Sequence, residues 1–169
     1  AGYAQRTQGN WIAIGYEAMG GTAVTNEAAG EAIGYRSMFA AMDGSSGTAL
    51  GNSALENLVG QHSIAIGSES GRYASGSYNT FVGGSAGKGG TTSAPYSSGA
   101  SNTAVGYLAL AGFTTGQLNV AIGQSAGTAM TTANYNTIVG AWAGDALTSA
   151  GYNTVLGFQA FSDASTDSN

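Results

Sequence analysis

The chain has no cysteine, one proline and one histidine in 169 residues. Without thiols there is neither a disulfide framework nor a thiolate metal site. His62 has no second imidazole to share a metal with and no evident triad partner, so it reads as a loop histidine between structural units. Charge is scarce too. Only 8% of residues are charged, against about a quarter in an ordinary domain. The four basic residues, Arg6, Arg36, Arg72 and Lys88, are scattered, whereas a nucleic-acid interface needs several cations on one face. The nine acidic residues are equally dispersed, and no spacing singles out a catalytic pair. These absences predict no enzyme, no cofactor, no metal centre and no nucleic-acid partner. No apolar run approaches the roughly 20 residues that span a bilayer, so no membrane insertion is expected in this segment.

What the chain does have is glycine, 29 of them, with 43% hydrophobic residues. That hydrophobic content favours collapse over disorder. Glycine does not fall at every third position, which excludes collagen. The stretch GGSAGKGG at residues 83–90 resembles a phosphate loop, but glycine follows its lysine where Ser or Thr is required.

The glycines instead mark a repeat. Aligning YNTIVGAWAG (135–144) with YNTVLGFQAF, YNTFVGGSAG and SNTAVGYLAL puts Gly15, Gly34, Gly51, Gly67, Gly83, Gly106, Gly123, Gly140 and Gly157 in register. Their spacings are 19, 17, 16, 16, 23, 17, 17 and 17. The residue before each glycine is always Ile, Leu or Val, and Ala stands two before it in six copies and three after it in seven. Asn79, Asn102, Asn119, Asn136 and Asn153 stand four before the last five glycines.

This period is too short for a helical-pair repeat, which needs about 33 residues or more. It suits one coil of a parallel β-solenoid, with two short strands and two turns. The second apolar site at Leu58, Phe113, Met130 and Leu147 marks the facing strand. The reading is an all-β solenoid of about nine 16–17-residue coils over residues 1–161. An insertion loop at 88–101 and a polar tail at 162–169 complete the chain. Gly83, Gly106, Gly123, Gly140 and Gly157 bend the coil, the Asn column ladders between coils, and Val139 fills the interior. The Thr column (Thr48, Thr80, Thr103, Thr137, Thr154) shares its side with Val or Leu, which predicts burial in the roll or in an assembly. Both faces of the repeated strand are apolar, and such a strand is normally covered on both. One thin roll covers one face. A second copy of the chain is the economical cover for the other, so a homo-oligomer is expected.

WIAIGYEAM, SIAIGSES, NTAVGYLAL and NVAIGQSAG resemble the head repeats of trimeric autotransporter adhesins. They are more similar still to the NTAVGYxAL-type repeats of phage tail fibres and of bacterial tail-fibre-like proteins. The period, mostly 17, is longer than the usual adhesin-head coil and favours the fibre branch. The resemblance implies a left-handed β-roll, three chains around one axis, and an extracellular place on a virion tail fibre or cell surface. It also implies attachment to a host surface through a glycan or protein receptor. Candidate contact residues are Lys88, Thr91, Thr92 and Tyr96 in the insertion, because solenoid insertions leave the coil at turns and often bind. The aromatics that follow the glycines, Tyr16, Tyr35, Tyr107 and Phe158, are candidates for a sugar-stacking track, with ladder packing as the structural alternative. Two other functions stay open: a ligand-free filament or shaft, and an ice-binding solenoid.

Overall fold

The computed structural model describes residues 11–21, 29–40 and 46–162. Arg6 and the polar tail beyond Ser162 lie outside them. Among the described residues, nine short strands run in chain order: β1 (Trp11–Ile14), β2 (Ala29–Ile33), β3 (Ser46–Leu50), β4 (Ser63–Ile66), β5 (Thr80–Val82), β6 (Thr103–Val105), β7 (Val120–Ile122), β8 (Thr137–Val139) and β9 (Thr154–Leu156). Each pairs in parallel with the next, so one sheet has the order β1 to β9. Register follows the repeat, with Ile66 opposite Val82, Val82 opposite Val105 and Val139 opposite Leu156. Parallel pairing in chain order at a period of about 17 residues is a β-solenoid, here of about eight turns.

Each coil has one strand, where two were expected. The facing side is a ladder of turns. Among the described residues, twenty non-glycine residues have positive φ, where a few per cent is usual. They occupy three columns: two after the repeat glycine (Ser53, Ser125), four after it (Leu55, Leu110) and five before it (Tyr78, Tyr135). The reversals aim successive amides at opposite neighbours. Ser53 N–H donates back to Tyr35 O at 2.8 Å, and Leu55 N–H donates forward to Ser70 O at 3.0 Å. Inter-coil bonding offsets the cost of the left-handed conformation. The repeat glycine itself has φ near +130° at Gly83, and a Cβ there would sit 2.6 Å from Gly106 O. No other residue fits.

The core lies between strand and turns. The strand residue two before the glycine points in: Phe81, Ala104, Ala121 and Ile138 are fully buried. Val139, expected to fill the interior, lies on the opposite face, and Ile138 fills it instead. Leu58, Phe113, Met130 and Leu147 are buried as expected, but from turns rather than from a strand. Core volume is conserved in part by compensation. In three coils whose inward strand residue is Ala (Ala32, Ala49 and Ala104), the residue four after the glycine is large: Met38, Leu55 and Leu110; after Ala65 and Ala121 it is Gly71 and Gly127. Phe81 instead packs between Gly71 and Gly87, whose missing side chains its ring replaces. Ile138 packs against Gly144 and, with Met130 nearer still, against Gly127.

Asn79, Asn102, Asn119 and Asn136 of the Asn column are buried beside this core, and Asn153 is half-buried. Asn119 N–H donates to Asn102 Oδ1 at 3.1 Å, and Asn136 N–H donates to Asn119 Oδ1 at 3.0 Å. The side-chain amide then crosses the coil, Asn119 Nδ2 donating to Ala133 O at 2.8 Å. Each Asn thus ties strand to turn and coil to coil, satisfying polar groups that burial would otherwise penalise. Ser63 holds the first rung, its Oγ accepting from Asn79 N–H at 3.2 Å.

Candidate functional site

Three surface features are candidates: the outward sheet face, a line of ion pairs, and the insertion. The face follows from strand alternation. With the residue two before the glycine turned in, those one and three before it turn out. Ile12, Ile14, Ile33, Leu50, Ile64, Ile66, Ile122 and Leu156 are between 37% and 76% exposed. This is a flat aliphatic strip along the whole rod, broken by one carboxylate, Glu31, which accepts from Thr48 Oγ1 at 2.9 Å. The Thr column stands on the same face. Thr137 and Thr154 are exposed, so the roll does not bury them.

Aromatics border the strip at both corners. Five residues before the glycine stand His62, Tyr78, Tyr135 and Tyr152; one after it stand Tyr16, Tyr35, Tyr107 and Phe158. Stacking follows the coils: Tyr135 on Tyr152 at 4.9 Å, Tyr16 on Tyr35 at 5.6 Å and His62 on Tyr78 at 5.6 Å between ring centres. The ring of Phe158 meets Trp142 edge-on, and Tyr107 is exposed. His62 also lies 3.1 Å from Ser46 Oγ through Nδ1, which places it at a corner.

The charges read as dispersed in sequence converge in space. Arg36 contacts Glu17 at 3.4 Å and Glu56 at 3.0 Å; Arg72 contacts Glu56 and Glu69, each at 2.7 Å; Lys88 contacts Glu69 at 2.7 Å. Three basic and three acidic side chains therefore form one ladder from the coil of β1 to that of β5. The Lys88 ammonium, bonded to its carboxylate, holds Glu69 below its ordinary value; partial burial opposes this and Arg72 adds to it. A signal existed in the sequence: these partners lie about one coil apart, as Arg72 and Glu56 do at 16 residues.

This ladder changes the reading of the insertion. Lys88 belongs to the regular coil, held by Glu69. Gly90 N–H still donates to Phe113 O at 2.7 Å, and Ser97 N–H donates to Tyr73 O at 3.0 Å. The excursion is thus residues 91–96, matching the six residues by which the spacing of 23 exceeds the 17 that follows it. Tyr96 stacks on Tyr73 at 6.3 Å, Arg72 lies over Tyr73 at 5.1 Å, and Thr91 N–H donates to Ser97 Oγ at 3.1 Å. Thr92 is exposed at the tip. Of the four expected contact residues, Thr91, Thr92 and Tyr96 share the loop and Lys88 stands beside its base.

These features define a parallel β-solenoid with one uncovered apolar sheet face and, among the described residues, a single short excursion. Compared with known protein families, curated proteins and solved structures, the chain matches none.

Proposed function

We propose that this chain is a segment of a homotrimeric attachment fibre, of the phage tail-fibre or surface-adhesin kind, acting outside the cell. The outward aliphatic face carries the reading. Nine coils about 4.8 Å apart and about six residues of width make a patch of roughly 40 by 20 Å. That footprint, about 800 Å², is what one partner contributes to a standard stable interface. Uncovered, it is an association hazard; three copies facing one axis remove it. The resemblance of the NTAVGYLAL-type repeats supports the same arrangement. Adhesion then works by number, with each loop at 91–96 presented in three copies so that weak contacts add as avidity. The receptor is a surface glycan or protein, met by Thr92 and Tyr96.

Sedimentation of the purified chain should give three times the monomer mass at micromolar concentration; a monomer mass rejects the trimer. Binding to host-cell surfaces or a glycan array should be lost when residues 91–96 are deleted with the assembly intact. Retained attachment moves the binding site elsewhere. No attachment by either protein leaves a structural shaft.

A second reading rests on the outward Thr column. Thr48, Thr80, Thr103, Thr137 and Thr154 project at coil spacing from a flat sheet, as an ice-binding surface would require. Ile12, Glu31, Ile64 and Val120 interrupt the column. Thermal hysteresis abolished by Thr137→Tyr would favour this reading over the fibre.

A further inference from the structure

We infer that the two aromatic borders of the outward face are the two halves of one seam, by which parallel copies interlock at the same coil level. The inference rests on the homo-oligomer reading and adds which residues meet.

Size is complementary across the corners of four coils, whereas the β3 coil carries Ser46 and Asn52, without an aromatic at either corner. The corner before the strand and the corner after it read His62 and Ser68 around β4, Tyr78 and Gly84 around β5, Ser101 and Tyr107 around β6, Tyr135 and Ala141 around β8. One side is aromatic and the other is Ser, Gly or Ala in all four. The β7 coil carries Leu118 and Gln124, of intermediate size at both corners. Only the last coil has aromatics at both, Tyr152 and Phe158, which are 82% and 67% exposed.

Nothing within one chain requires this pattern. The two corners are six residues apart along an extended segment, about 20 Å, too far for their side chains to compete for space. Stacking along a border does not explain it either, since the aromatics change border between β5 and β6 and again before β8. A neighbour does explain it. Rotation about an axis parallel to the rod brings the leading corner of one copy against the trailing corner of the next, coil for coil, because a closed ring allows no net slide. An antiparallel two-fold pair would instead set Tyr78 and its kind against leading corners.

The start of the rod fits the same geometry. A shallow groove lined by Glu31, Ser46, Thr48, His62 and Ile64 runs beside the leading border at β2 to β4. Tyr16 and Tyr35 project from the trailing border at β1 and β2. A partner's Tyr35 seated there brings its hydroxyl to Glu31, the one carboxylate among the described residues of the face.

The chain has no cysteine, so cross-linking is clean. A Tyr78→Cys/Gly84→Cys double variant, treated with a short bismaleimide, should give covalent multimers, while each single variant stays monomeric on denaturing gels. The same-chain pair is too distant for a short linker. Gly84 tolerates a side chain in its own fold, since an added Cβ meets only the Tyr107 ring at 3.4 Å. Gly84→Tyr should therefore weaken association at least about tenfold, and adding Tyr78→Gly should restore it by moving the ring to the other border. Cross-linking by Tyr78→Cys alone overturns the seam in favour of an antiparallel pair. A wild type that sediments as an oligomer, with neither cross-link nor rescue, overturns the seam and leaves the oligomer standing. A wild type that sediments as one chain overturns both.

Discussion

Gly83 shows what a single position must satisfy here. Its φ of +130° and the 2.6 Å approach of Gly106 O leave no room for a methyl group. Gly83→Ala should cost about 1–3 kcal/mol from strain alone, measured as a lower urea midpoint. Asn119 is constrained by bonding instead. Asn119→Ala leaves the buried Asn136 N–H and Ala133 O without partners, a loss of about 1–3 kcal/mol for each buried group left unsatisfied. Phe81 and Gly87 are constrained jointly, since the Phe81 ring occupies the space a Gly87 side chain would take. Gly87→Ala alone should destabilise by overpacking, and Phe81→Ala alone by leaving a cavity. The double variant should lose less than the sum of the two, which a double-mutant cycle in urea would read. Additive losses would show that the two do not share the space.

At the scale of elements, the turn side is held by alternating amides and by the ion-pair ladder, while the strand side is held by the sheet. The ladder makes stability depend on acid. The folded pKa of Glu69 is lowered from its ordinary 4.5. Its contribution is fully present above 4.5 and is lost as pH falls through the lower folded value. The urea midpoint should therefore drop between neutral pH and about pH 3, and Lys88→Met should reduce that drop by removing the first cause of the shift. An unchanged drop would place the acid sensitivity elsewhere. Glu56 is the buried link between two guanidinium groups. Glu56→Leu leaves Arg36 and Arg72 in mutual repulsion and should cost about 1–3 kcal/mol, reduced when Arg36→Leu is added.

For the whole molecule, folding and the proposed association would use opposite faces of one sheet, so they should separate. Ile122 is exposed in the single chain and turned away from the core. Ile122→Lys should leave circular dichroism and unfolding of the protomer within about 0.5 kcal/mol of wild type. It should drive the sedimentation mass toward one chain. A charge tolerated in an unchanged oligomer would remove the outward face from the interface. The insertion is separable too. Its six residues leave and rejoin at Gly90 and Ser97, both bonded to neighbouring coils, so deleting 91–96 should preserve the solenoid.

The repeat alone determined the coil, its register and its glycine bends. Gly140 and Asn136 recur in fixed columns because stacking places equivalent residues over one another, and a period survives translation along a rod. Inside and outside were another matter. Val139 and Ile138 are both β-branched and apolar, so periodicity could not say which faced in; packing decided, with Ile138 filling space at Gly127 and Gly144 alongside Met130 and Leu147. The turn ladder was hidden because many of its left-handed residues, such as Met38 and Leu110, are of types that carry no turn signal; inter-coil amide bonds impose the conformation. The ion-pair ladder was hidden for the opposite reason. Apart from Arg72 and Glu69, its partners lie 16 to 20 apart along the chain, and only coiling converts that separation into contact.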